Sequence, residues 1–152
     1  TLGGSAIGFG LVSAAYGVGM LAGSIGLSWK GTAAAAGTVF ALGWVASGVG
    51  AIATGLAPLL AVTALAQAVA GLGNALQVVS MDTLVQDNVP RDFLGRVFGL
   101  MGTAPHAGHT LAFAAGGFLL DVTSPTTVFL IAGIGTLVVL APVLLVLRRE
   151  TG

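Results

Sequence analysis

From Gly31 to Met81 the chain carries no Asp, Glu, Lys or Arg. Three more charge-free stretches accompany that one: Thr1 to Trp29, Val97 to Leu120 and Val122 to Leu147. An ionised side chain costs several kcal/mol in hydrocarbon, so charges are excluded wherever lipid is the solvent. A helix that crosses a bilayer needs about 20 predominantly apolar residues, and the four gaps, in chain order, hold one, two, one and one of them. The chain therefore reads as an all-α membrane protein with five transmembrane helices.

Composition excludes the main rival. Charged residues make up 7% and apolar residues 56% of the chain, against about 25% charged in soluble domains. Ten charges, Lys+Arg 5 and Asp+Glu 5, cannot cover a soluble surface of this length. There is no Cys, which removes disulfides, thiol catalysis and thiolate metal sites. The first charge is Lys30, so no basic segment of a signal peptide precedes the apolar start. Gly supplies 25 residues, which suits helices that approach closely in a bilayer.

The spans are expected at 5–28, 32–54, 58–85, 96–119 and 124–147, with a polar loop over 86–95. Their breaks have local causes. Trp29-Lys30-Gly31 sets an interfacial aromatic, a cation and a helix stop together. Gly55-Leu56-Ala57-Pro58 is a Gly stop followed by a Pro at or near the next helix start. Asp121-Val122-Thr123-Ser124-Pro125 offers polar caps and a Pro start. With alternating spans, Lys30, Arg91, Arg96, Arg148 and Arg149 share one side, and the other side has no Lys or Arg. The positive-inside rule makes the charged side cytoplasmic. Thr1 then lies outside, with an odd number of helices and no initiator Met, as expected for the C-terminal part of a longer multi-pass protein of the cell (inner) membrane.

Two segments carry a family resemblance. Gly71-Leu72-Gly73-Asn74-Ala75-Leu76-Gln77 leads into Leu84-Val85-Gln86-Asp87-Asn88-Val89-Pro90-Arg91-Asp92-Phe93-Leu94-Gly95-Arg96-Val97-Phe98-Gly99-Leu100. Together they resemble the major facilitator superfamily, and within it the bacterial drug and siderophore exporters of macrolide-efflux-like and enterobactin-exporter-like type. The resemblance implies that the five spans are helices eight to twelve, a partial C-terminal six-helix bundle of a major facilitator fold. It also implies a cytoplasmic ten–eleven loop and C-terminus, in agreement with the cation count. One departure is visible: the eight–nine loop, Leu27-Ser28-Trp29-Lys30-Gly31, lacks the family's Asp/Arg-rich signature, so no charged latch is expected there.

Polar residues within spans are the candidate functional groups, because each needs a partner or water. On the third span Gln67, Asn74, Gln77 and Met81 fall within about 80° of one another at 100° per residue. The resemblance implies that this helix lines a central cavity, where the stripe would touch a small-molecule substrate; the alternative is that the amides bridge neighbouring helices. The fourth span holds Pro105-His106-Ala107-Gly108-His109. His106 and His109 share a face with Gly102, Phe113 and Gly116 and are candidates for proton relay in an antiporter. Alternatively they are neutral and bonded to a carbonyl freed by Pro105. Asp82, Arg91, Asp92 and Arg96 crowd the charged end and are expected to form a gate or brace. Gly19 and Gly23 on the first span, with Gly95, Gly99 and Gly102 on the fourth, are the expected helix-packing positions.

The expected function is secondary active export of small amphiphilic molecules by alternating access, with the lipid bilayer and further N-terminal helices of the same protein as partners. The alternative is a non-transporting small scaffold or subunit that binds partner helices through its Gly-rich faces. No enzyme is expected, for the spans hold no Cys, no midspan Asp pair and no HExxH. Neither a cofactor nor a metal is expected, two His without a nearby carboxylate leaving the shell incomplete. A nucleic-acid partner is not expected either.

Overall fold

The computed structural model describes residues 6–30 and 36–150, apart from the side chains of 28–30 and 143–150. Five helices make up that part: α1 Ala6–Lys30, α2 Ala36–Leu56, α3 Leu60–Asn88, α4 Arg91–Val122 and α5 Pro125–Glu150. At about 1.5 Å per residue the shortest, 21 residues, spans about 32 Å, enough for the hydrocarbon core. The Trp29-Lys30-Gly31 break, the Thr1 end and the Arg148-Arg149 end lie outside the described residues or side chains.

The expected loop over 86–95 is almost entirely helical, and the turn shrinks to Val89-Pro90. Pro90 is the cause. Its ring bars the preceding residue from the helical region, and Val89 is extended at φ −102 and ψ 129, while Pro90 itself donates nothing and can precede a new helix. Asp92 then sits in the first turn of α4, where a carboxylate meets the positive end of the helix dipole. At the other end of α4, Ser124 caps α5: the Thr127 amide donates to its Oγ at 3.2 Å, and Pro125 opens the helix as expected.

Four helices form a row in the order α1, α3, α2, α5. The contacts fix their directions. Gly19 meets Ala68 while Gly23 meets Leu72 and Ala75, so α1 and α3 run parallel. Gly43 meets Gly73 and Gln77 while Gly50 meets Ala66 and Ala70, so α2 runs antiparallel to α3. Gly48 meets Gly133 and Leu137 while Gly55 meets Thr126 and Phe129, so α5 is antiparallel to α2. Alternation therefore holds along the chain, and the α3–α4 turn lies at the same end as the C-terminus of α1.

What is buried is mostly small. The interior holds Ala36, Ala66, Ala70, Ala75, Thr54, Thr63 and Ser80, with Gly43, Gly48, Gly50, Gly71 and Gly73, and the larger Val85 and Leu140 join them. Large apolar side chains point outward instead, Phe9 at 79% and Phe113 at 81% exposure among them. Lipid is as apolar as leucine, so hydrophobicity does not drive such helices together; close backbone contact and polar bonds do. Gly73 shows the requirement: a Cβ there would stand 2.6 Å from the Gly43 carbonyl oxygen.

Helix α4 stands apart. It touches α3 and α5 only sparsely and α1 and α2 not at all, and none of its residues is buried. By length and hydropathy, four described helices qualify to cross a membrane, and α4 is not one of them. The expected fourth span over 96–119 thus fails on hydropathy rather than on length, because Pro105, His106 and His109 interrupt its apolar run.

Candidate functional site

The polar stripe of α3 divides in two. Gln77 turns into the seam with α2, where its Nε2 donates to Ser47 Oγ at 2.7 Å, the Gly43 carbonyl at 3.1 Å and its own helix's Gly73 carbonyl at 3.3 Å. Ser47 Oγ in turn donates to the Ala70 carbonyl at 3.4 Å. Ten residues earlier on α3 the pattern recurs: Gln67 Nε2 donates to Thr54 Oγ1 at 3.3 Å, and Thr54 donates to the Gly50 carbonyl at 2.8 Å. Both glutamines thus clasp α3 to α2. Neither Ser47 nor Thr54 was singled out from the sequence. A signal existed, for Gly43, Ser47, Gly50 and Thr54 recur at i, i+4, i+7 and i+11 along one face of α2.

Asn74 and Met81 stay out of that seam. Asn74 is half-buried, and its amide makes no hydrogen bond among the described residues. Met81, two turns further along the same side of α3, borders a cleft of about 360 Å³ with Leu100, Met101, Ala104 and Pro105 of α4. Two buried polar atoms, Trp44 Nε1 on α2 and Ser80 Oγ on α3, also have no partner among the described residues.

The histidines face elsewhere. His106 and His109 are exposed on α4, and His109 borders a second cleft of about 480 Å³, between α4 and α5. Its walls are Phe113, Gly116 and Leu120 from α4 and Pro125, Val128 and Phe129 from α5, among others. Met81 and His109 therefore border different clefts against α4, Gln67 and Gln77 lie in the α2–α3 seam, and the candidates of α3 and α4 do not converge. Among the described residues no three His, Asp or Glu side chains gather as a metal site would need.

At the charged end, Arg91, Asp92 and Arg96 are exposed and Asp82 is half-buried. No ion pair joins them among the described residues; the Arg96 guanidinium instead lies 5.8 Å from the centre of the Phe93 ring, a cation–π contact. The glycine positions also divide. Side chains at Gly19 and Gly23 would collide with α3, at the Ala68 carbonyl and at Ala75 respectively, whereas Gly95, Gly99 and Gly102 have nothing within 4 Å.

Comparison with known proteins bears on the whole arrangement. The family model described as Major Facilitator Superfamily matches residues 1–152. A stretch of 78 residues, 51% of this chain, is 36% identical to "Magnetosome protein MamH" of Paramagnetospirillum magneticum (strain ATCC 700264 / AMB-1). That stretch is 18% of the relative's length. No solved structure matches the chain. A membrane bundle of small-residue seams, matched along its entire length by one family model, leaves a single assignment: the chain belongs to the Major Facilitator Superfamily.

Proposed function

We propose that the chain is the C-terminal bundle of a secondary active transporter that exports small amphiphilic molecules by alternating access. Its setting is the cell membrane, with the α3–α4 turn and the C-terminus in the cytoplasm, as the one-sided placement of the cations implies. The carrying observation is Asn74. Its amide is half-buried on a membrane helix and unbonded among the described residues, while Gln67 and Gln77 on the same helix are both engaged. An amide left open in a bilayer needs a partner, and a passing substrate or the water around it supplies one. Met81, on the same side, adds a soft apolar surface that suits varied apolar bodies.

The test is substrate efflux by the intact protein carrying Asn74→Ala, at matched membrane abundance. Loss of one neutral hydrogen bond, about 0.5–1.5 kcal/mol, weakens apparent affinity roughly 2- to 12-fold. Gln77→Ala should lower abundance and leave the activity per folded molecule intact. Wild-type efflux from the Asn74→Ala protein would remove that residue from the substrate path.

A further inference from the structure

Pro105 leaves a mark on the cleft that Met81 borders. A proline has no N–H, so the Met101 carbonyl, one turn earlier on α4, loses its ordinary helical donor. The nearby threonine hydroxyls do not replace it. Thr103 Oγ1 donates to the Gly99 and Leu100 carbonyls at 3.1 and 3.3 Å, and Thr110 Oγ1 donates to the His106 carbonyl at 3.0 Å. Met101 and Pro105 both border the cleft of about 360 Å³ between α3 and α4. Two of the chain's three methionines, Met81 and Met101, therefore border one space. Seven residues further from the turn on each helix stand Asn74 and Gly108, on the same faces as Met81 and Met101. The Asn74 amide is unbonded among the described residues. A side chain at Gly108 would meet nothing within 4 Å, so open space continues toward Asn74.

These walls have a defined chemistry. The cleft lies in the range of small-molecule sites, about 300–1,000 Å³, and is larger than the roughly 150 Å³ that holds one benzene ring. Thioethers make favourable contacts with the edges of aromatic rings, and leucine, alanine and proline complete the lining. No ionisable side chain among the described residues borders it, so a charged ligand would lose hydration and find no counter-charge in these walls. A carbonyl without its donor favours a ligand that brings one. We propose that the α3/α4 cleft takes an uncharged aromatic ring system bearing a hydroxyl. Met81 and Met101 lie against the ring, the Met101 carbonyl accepts from the hydroxyl, and Asn74 bonds polar groups beyond it. This names the substrate class of the exporter proposed above and rests on that reading. It makes Met101 and Pro105 specificity-determining residues: the sulfur selects the ring, and the missing N–H selects the hydroxyl.

The experiment measures binding of radiolabelled β-naphthol, a phenol uncharged at neutral pH, to the purified intact protein in nanodiscs, with empty nanodiscs as the blank. Saturable binding should be displaced best by β-naphthol itself. Its methyl ether, which lacks the donor, and decahydro-β-naphthol, which lacks the aromatic ring, should displace it less well. The β-naphthylmethyl-trimethylammonium cation should not displace it. Met81→Leu and Met101→Leu keep the volume and remove the sulfur, and each should weaken β-naphthol binding about 2- to 12-fold. Pro105→Ala returns an N–H to the Met101 carbonyl and should abolish the preference for β-naphthol over its methyl ether, a ratio that a merely structural proline would not move. Where Pro105→Ala lowers abundance, the methionine variants keep the test readable. Absence of saturable binding by folded protein, displacement by the cation as strong as by β-naphthol, or an unchanged ratio in Pro105→Ala would overturn the assignment. Absent binding beside intact dye export removes the substrate class alone. The expected ranking beside absent dye flux removes export alone and leaves a ligand site.

Discussion

Gln77→Leu tests the seam that holds the row together. Gln77 Nε2 has two hydrogens and three acceptors, the shortest contact being Ser47 Oγ at 2.7 Å. Leucine keeps much of the volume and removes every donor, so two interhelical contacts vanish, to Ser47 and to the Gly43 carbonyl. Interhelical hydrogen bonds in membranes average about 0.6 kcal/mol and reach about 1.7, so Gln77→Leu should cost about 1–2 kcal/mol. Ser47→Ala removes the same contact from the other side, together with the donation to the Ala70 carbonyl. The double mutant should therefore cost less than the sum of the singles, with a coupling of about 1 kcal/mol. Equilibrium unfolding of the purified intact protein, by detergent titration or steric trapping, measures all four species. Asn74→Leu serves as the control, since Asn74 makes no bond to the seam, and it should couple to Ser47→Ala by less than about 0.3 kcal/mol. A Gln77–Ser47 coupling no larger than that control would refute the clasp.

Two further outcomes follow from the same packing. Gly71→Leu should separate α1 from α3, because any side chain there meets the Tyr16 carbonyl backbone rather than a movable tip; folded protein should fall severalfold, whereas Val69→Leu, on an open face of the same helix, should leave it unchanged. Single cysteines at Asn88 and Ser124 should react with impermeant thiol reagents from opposite sides of the membrane, Asn88 from the cytoplasm. Labelling of both from one side would mean that α4 does not cross.

The sequence made some of this architecture legible and hid the rest for reasons of range. Charge gaps located all five helices, because exclusion of ionised groups from hydrocarbon acts residue by residue. Pro125 and Ser124 announced the start of α5, since a cap and a fixed φ are local facts. The turn between α3 and α4 was drawn too long: Asp87, Asn88 and Arg91 looked like loop, yet a helix end tolerates polar residues, and only Val89 is forced out by Pro90. The partners of Gln67 and Gln77 lay beyond reading, because Thr54 and Ser47 sit on another helix and only packing shows which face meets which. The wide separation of α4 was equally invisible. Nothing in Gly95, Gly99 and Gly102 distinguishes a stripe in contact from one in the open, whereas Gly19 and Gly23, of the same chemistry, are filled by α3.

Transport itself is the most direct test. The intact protein, reconstituted in proteoliposomes with its orientation determined, should move at least one of a panel of cationic, neutral and anionic amphiphilic dyes. That flux should be saturable, depend on an imposed ion gradient and fall with Asn74→Ala. Dye flux no greater than in protein-free vesicles across the whole panel, at verified incorporation and folding, would contradict the account.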